Sequence, residues 1–549
     1  MMPAAPIRLL VLVCALVLAA SAGSLTSPGA LAAAPTCGGP GTAGGPHYLL
    51  GMQSAIGVHH QSAVEPGGYE TPRPMNACWD RVGISWAQYD NAAVMAATDQ
   101  LIADAQAGGV NVILVILPLH PTHTVCGQTV SSRPRAGDGE AAWKDFIKDI
   151  AQRYDGEPSG DLANPDPPDV QRVTHFQIGG QVAARTYWRV GGHCVNQPDG
   201  SQPVTTPHLA QRAAKDLANT VRLADEALDE LALRPALGLG NIPAELVDRA
   251  WFCDTPALGN LYRDHKVRPN PQTGLPQIFR RVDIPRNQVC RNDPFFIELD
   301  VLIRELEPGS APVVDWVDVA LYGSISDIRG WVTWLNGEFE AAWDQPAPEI
   351  WSTEFAGPDF RFEDIVVNSE SALNRLSAHD AVKRLSVAMA MDMGPILGLR
   401  YRQADADVHP NVVLAHRFAA PLNVEGGQRP SYQSFREFAE LTNGHASARF
   451  VGSPVDTTVT EVRMNPRKMV ISAWSERPRF VMIQFRGPTR LSIHRTDRHG
   501  ALRQAAVSLG PHSQLCLRLA PAPVVLISAS FRPNKAAVAR VTPVARCNS

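Results

Sequence analysis

Eight short apolar runs recur between residues 48 and 441, at 48–56, 82–86, 110–117, 173–178, 236–239, 317–322, 349–353 and 395–401, separated by amphipathic stretches. That alternation is expected of repeated βα units around a parallel sheet, and eight units point to a closed barrel. The run Val112-Ile113-Leu114-Val115-Ile116-Leu117 is apolar throughout, as a strand covered on both faces must be. Between the third and fourth runs, Trp143, Phe146, Ile147, Ile150, Ala151 and Tyr154 fall on one helical stripe. Further helical stretches span 209–228 and 376–391. The longest insertion, 251–296, follows the fifth run and carries Cys253 and Cys290, which are placed to staple it. Proline and glycine punctuation marks a loop over 157–168.

Beyond 441 the pattern becomes short alternating segments, at 480–485, 491–496, 514–519 and 524–528. Leu515, Leu517 and Leu519 alternate with Cys516 and Arg518, the period of a strand with one buried face. Asp497-Arg498-His499-Gly500 suits a hairpin turn. The expected fold is therefore α/β, a (β/α)8 TIM barrel over 35–445 with a C-terminal antiparallel β-sandwich over 446–532. A tail, 533–549, would follow, with Cys547 placed to tie it down.

The N-terminus places the protein. Arg8 precedes an apolar run from Leu9 to Ala20 and then Ala20-Ser21-Ala22, the pattern of a secretory signal peptide over 1–34, with cleavage after 22 or 34. This predicts a secreted or periplasmic protein, and no later segment is apolar enough to span a bilayer. Beyond Cys14 the cysteines are Cys37, Cys78, Cys126, Cys194, Cys253, Cys290, Cys516 and Cys547. An even set of eight in an exported chain reads as up to four disulfides, with the pairing left open by spacing. There is no CxxC or HxxxH cluster, so neither a metal nor a cofactor is expected. The net charge of −4 gives no reason to expect nucleic acid as a partner.

Barrel enzymes carry their working groups at the C-terminal ends of the strands. Glu354 stands there on the seventh run, in Ser352-Thr353-Glu354-Phe355-Ala356-Gly357. The fourth run ends in Phe176-Gln177-Ile178-Gly179-Gly180-Gln181-Val182, followed by Tyr187-Trp188. Trp86, Tyr187, Trp188, Tyr322, Trp351 and Tyr401 lie near strand ends where they could stack on sugar rings, although a core role suits each equally. His59 and His60 follow the first run.

These motifs resemble the clan A glycoside hydrolases, and most closely the family 39 group, over nearly the whole mature length. In that group a Thr-Glu-Phe-like motif carries the nucleophile, which the resemblance places at Glu354. Arg81 resembles the second-strand arginine that supports the nucleophile, and Tyr322 the sixth-strand tyrosine that contacts it. The segment 421–432 resembles the one leading into the last helix. The fourth-strand Asn-Glu motif is replaced: Gly180 stands at the asparagine, which binds the sugar 2-hydroxyl, and Gln181 at the acid/base glutamate.

Retaining hydrolysis needs two carboxyl groups roughly 5 Å apart, one attacking and one protonating. Gln181 has no proton to give. Another loop could supply the acid, from Glu245, Asp327, Asp405 or Asp407. Alternatively the leaving group needs no acid, as in the plant myrosinases, which also carry glutamine there. A third alternative is a site that only binds sugars. The expected function is cleavage or transfer of glycosidic bonds in an oligo- or polysaccharide, the alternative being a catalytically impaired protein of polysaccharide binding or export.

Overall fold

The computed structural model describes residues 37, 50–52, 73–156, 170–181, 188–195, 206–232, 234–273, 275–291, 294–307, 313–361, 365–398, 427–497, 499–507 and 511–547, all within the compact unit Cys37–Ser549. The signal segment, the loop over 157–168 and the ends of the first and eighth runs lie outside them.

The strands up to residue 398 are β1 (Leu50–Met52), β2 (Trp79–Ser85), β3 (Asn111–Leu117), β4 (His175–Gln181), β5 (Ala236–Ile242), β6 (Leu261–Pro269), β7 (Pro276–Pro285), β8 (Trp316–Val319), β9 (Glu349–Phe355) and β10 (Ile396–Gly398). Strands β6 and β7 form a separate antiparallel ribbon, and the other eight pair in the closed order β1-β10-β9-β8-β5-β4-β3-β2. Every barrel pairing is parallel, and the β2–β3 register runs unbroken from Trp79↔Asn111 to Ser85↔Leu117. The second strand thus begins at Trp79, before the expected 82, because Asp80 and Arg81 are buried strand residues. Trp86 starts a short helix, Trp86–Tyr89, and is not part of the strand.

Period-two alternation divides each strand between two apolar layers. Trp79, Ile113, Trp316, Trp351 and Leu397 fill the barrel interior, while Ile84, Leu114, Phe176, Leu239 and Ile350 face the helices. The Trp316 and Trp351 rings stack at 4.1 Å. A Cβ on Gly238 would stand 2.1 Å from the Trp316 ring, so only glycine lets β5 pass that plug. Outside, the helix Asp138–Arg153 buries Trp143, Phe146, Ile147, Ile150 and Ala151, the stripe read from the sequence. The helices Pro207–Leu228 and Glu370–Ala390 cover the other predicted helical stretches.

The C-terminal region comprises β11 (Ser447–Phe450), β12 (Thr457–Asn465), β13 (Lys468–Ser475), β14 (Arg479–Thr496), β15 (Leu502–Val507), β16 (His512–Leu519), β17 (Val524–Ala529) and β18 (Val538–Val544). All their pairings are antiparallel. The two segments expected at 480–485 and 491–496 are one strand, β14, that changes sheets midway. Its first half pairs with β16 and β18 and its second half with β15 and β17. The expected tail is also corrected, because Val538–Val544 is a paired strand with Val538 and Val541 buried in the sandwich core.

One face of this region lies against the helices Glu370–Ala390 and Pro430–Thr442. Trp474, Val462, Val470 and Leu502 belong to the same buried cluster as Phe435 and Leu385. Ser386 Oγ donates to Ser472 Oγ at 2.9 Å, and Ser434 Oγ to the Gly500 carbonyl at 2.5 Å. Disulfides join Cys37 to Cys78, Cys126 to Cys194, Cys253 to Cys290 and Cys516 to Cys547. The third staples the insertion as the sequence suggested, and the fourth ties the C-terminal segment to β16. Such bonds persist in oxidising compartments outside the cytosol. Among the described residues, no helix is long and apolar enough to cross a membrane.

Candidate active site

Strand β9 carries Trp351 into the barrel interior and Ile350 toward the helices. Strict alternation would then turn Phe355 inward, yet it packs with the helix-facing cluster. The register with β10 slips at this point, from Ser352↔Ile396 to Phe355↔Gly398. This irregularity at the strand's C-terminal end lets the Glu354 carboxylate meet groups from β2 and from the segment after β8.

Glu354 is 5 % exposed. Arg81 Nη1, two residues beyond the interior Trp79 on β2, donates to Glu354 Oε1 at 3.1 Å. The Tyr322 hydroxyl donates to Oε2 at 2.9 Å. Leu321 N–H donates to the Glu354 carbonyl at 2.9 Å, which ties the tyrosine's segment to β9. Burial, and next the Glu354 carboxylate, hold the Tyr322 hydroxyl well above its ordinary pKa, so it serves as a donor. A carboxylate held between a guanidinium and a phenol is fixed in orientation, as a nucleophile must be.

Beneath this pair, Asp318 on β8 accepts from Thr353 N–H at 2.7 Å, from the Thr353 hydroxyl, and from Gln177 Nε2 at 3.1 Å. Burial pushes its carboxyl up to about 6, against the opposing influence of Arg81. Gln181 is the last residue of β4 and sits in register with Asn241 on β5. Asn241 is fully buried, and both of its amide atoms lack a hydrogen-bond partner among the described residues. Gly180 lies in β4 beside Gln181. Sequence reasoning missed Gln177, Asn241 and Asp318. The available signal was a polar residue embedded in an otherwise apolar barrel strand.

At the rim, Arg361 pairs with Asp359 at 2.7 Å and with Glu245, and its guanidinium lies 5.4 Å from the Tyr322 ring centroid. Of the four carboxylates considered as an acid, Glu245 is thus engaged by Arg361. Asp327 accepts from Ser324 Oγ at the start of the helix Ile325–Trp343, and burial raises its pKa. Asp405 and Asp407 lie outside the described residues, as do His59, His60, Tyr187 and Tyr401.

Three aromatic residues expected to stack on sugars are placed elsewhere. Trp86 is 4 % exposed, with Phe146 and His123 stacked on it at 5.7 and 5.3 Å, so its faces are already occupied. Trp351 is 2 % exposed and belongs to the interior plug, stacked on Trp316. Trp188 is buried in the helix-facing cluster and bridges Ser131, where the disulfide Cys126–Cys194 joins the neighbouring loops. In each case the ring contributes packing area to the core, not an open face to a ligand.

No protein-family model matches the sequence, and a search of curated proteins finds no match. Solved structures similar to this chain include glycoside hydrolases of several families. A conserved exported protein from Bacteroides fragilis aligns with a TM-score of 0.50 at 10% identity, over 83% of this chain and 88% of that one. A glucosidase from Croceicoccus marinus aligns with a TM-score of 0.47 at 13% identity, over 89% of this chain and 98% of that one. The GH39 enzyme from Xanthomonas axonopodis pv. citri aligns with a TM-score of 0.45 at 11% identity, over 90% and 95%. At these identities the likeness concerns the fold alone.

Proposed function

We propose that the protein is an exported glycoside hydrolase of the retaining type, acting on an oligo- or polysaccharide, with Glu354 as nucleophile and Gln181 in the position of the acid/base. The observation that carries this reading is the buried Glu354 carboxylate at the C-terminal end of β9, held by Arg81 at 3.1 Å and the Tyr322 hydroxyl at 2.9 Å. The Thr-Glu-Phe motif and the register slip that frees its carboxylate support it together. Cleavage forms a bond from a Glu354 oxygen to the anomeric carbon as the glycosidic bond breaks, and water then releases the sugar. With glutamine at 181, departure depends on a leaving group that needs little protonation.

An aryl glycoside with a good leaving group tests this directly. The wild type is expected to release the phenol or accumulate a glycosyl-enzyme, and Glu354→Gln to do neither. Gln181→Glu is expected to raise the rate on unactivated substrates by up to the general-acid factor of about 10²- to 10⁴-fold. Activity that survives Glu354→Gln refutes the assignment.

A second reading, a sugar-binding protein without hydrolysis, is favoured by the engagement of Glu245 with Arg361 and of Asp327 with Ser324. It predicts oligosaccharide binding with no turnover of any activated glycoside.

A further inference from the structure

The ribbon β6–β7 takes no part in the site described above, and its charge differs from that of the chain. Between 261 and 291 there are seven lysine and arginine residues against two aspartates, in a protein whose net charge is −4. The register sets Lys266 directly opposite Arg280. Like charges directly opposite one another across a strand pair are destabilising, and a bound anion relieves the repulsion. Both aspartates are already used, Asp264 by Lys266 at 2.8 Å and Asp283 by Arg263 at 3.9 Å. Arg268 and Arg280 form no ion pair among the described residues, and both are exposed.

An aromatic ring sits among these cations. Phe279 is 48 % exposed, and the Arg268 guanidinium lies 4.9 Å from its ring centroid. A ring open to solvent offers a face for the apolar side of a pyranose, while guanidinium groups beside it match a carboxylate in bidentate geometry. The ribbon is also fixed in place. Val267 and Ile278 pack with Leu275, Phe360 and Leu373, and Cys253–Cys290 closes its base. Phe360 immediately precedes Arg361, whose side chain lies over Tyr322, the tyrosine that holds Glu354. The ribbon therefore stands on the same rim as the candidate nucleophile.

We propose that the exposed face of β6–β7 carrying Lys266, Arg268, Phe279 and Arg280 is a docking surface for an acidic polysaccharide whose uronate carboxylates meet its cations, delivering the chain to the Glu354 site. The inference rests on the function proposed above for the delivery alone, because docking itself needs no turnover.

Binding is measured on the full chain carrying Glu354→Gln, with oligogalacturonate as the probe and neutral xylo-oligosaccharide, sulfated dextran and an oligothymidylate as comparisons. Oligogalacturonate is expected to bind more tightly than the other three. Its affinity is expected to fall about tenfold or more in Arg268→Gln/Arg280→Gln, and to weaken as salt shortens the screening length. Phe279→Ala is expected to weaken it further. Unchanged affinity in the double arginine variant overturns the proposal. So does equal or tighter binding of the sulfated glycan or the oligothymidylate, which marks an unselective polyanion surface. Failure of the wild type to turn over any activated glycoside counts against the proposed function instead, since the ribbon is read in a variant that cannot turn over.

Discussion

Replacing Arg81 with methionine isolates what holds the Glu354 carboxylate in the barrel. The two side chains are 8 % and 7 % exposed and 3.1 Å apart. Removing one partner of such a pair strands a buried charge, at a cost of about 3–5 kcal/mol. The remaining Tyr322 hydroxyl contributes a hydrogen bond to a charged group, worth about 1.5–3 kcal/mol, but carries no compensating charge. Arg81 also opposes the upward shift of Asp318, so its loss drives that carboxyl above about 6 and adds to the penalty at high pH. The expected loss at pH 8 is therefore about 3–5 kcal/mol, shrinking at pH 5 as Asp318 takes up its proton. Urea unfolding of Arg81→Met, Glu354→Gln and the double variant at both pH values, followed by tryptophan fluorescence, measures it. Glu354→Gln should restore most of the stability lost in Arg81→Met, giving a strong coupling in the cycle. A loss below about 1 kcal/mol, or a double variant no more stable than Arg81→Met, would refute the reasoning that this pair neutralises a buried charge.

Two further outcomes follow from the same geometry. Tyr322→Phe removes the donor to Glu354 Oε2, so the barrier to turnover of an activated glycoside rises by about 1.5–3 kcal/mol; an unchanged rate would show that the hydroxyl does not act on the carboxylate. Asp248, which accepts from the Tyr262 hydroxyl at 2.7 Å, is pushed from 3.8 to about 7, chiefly by burial. Because its folded pKa is raised, its contribution is full below about pH 4 and is lost as pH rises through 7, a span worth up to about 4 kcal/mol. Asp248→Asn should flatten the decline of the unfolding midpoint between pH 5 and 8, and parallel curves for variant and wild type would count against it.

The barrel was legible in the sequence because parallel strands covered on both faces cannot hide: β3 is apolar from Val112 to Leu117 and buried along that length. The direction of single aromatic side chains was not legible. Period-two alternation says which residues share a face but not whether that face meets a helix, the barrel interior or the open mouth. Trp351 thus looked like a groove residue, although it lies in the interior plug below Thr353 and Glu354. The place of Glu354 at the end of a buried strand was legible from its motif, while Asp318, Gln177 and Asn241 read as blemishes in apolar runs until the barrel joined Gln177 to Asp318 and set Asn241 beside Gln181. The disulfides show the same division, since the even count announced them but only the fold could pair Cys126 with Cys194 across two loops. The single long β14 was concealed by Arg486-Gly487-Pro488, which reads as a break and is where the strand changes sheets.

The packing of Trp474, Val462, Val470 and Leu502 against the helices Glu370–Ala390 and Pro430–Thr442 joins the C-terminal region and the barrel in one buried core. A gene truncated after residue 445 would uncover the apolar backs of the two helices that buttress β9 and β10. The shortened protein would expose that apolar surface to water and is expected to aggregate. In evolutionary terms the region is not a portable sugar-binding cassette that can be shuffled between enzymes. It has to be inherited with the barrel it supports.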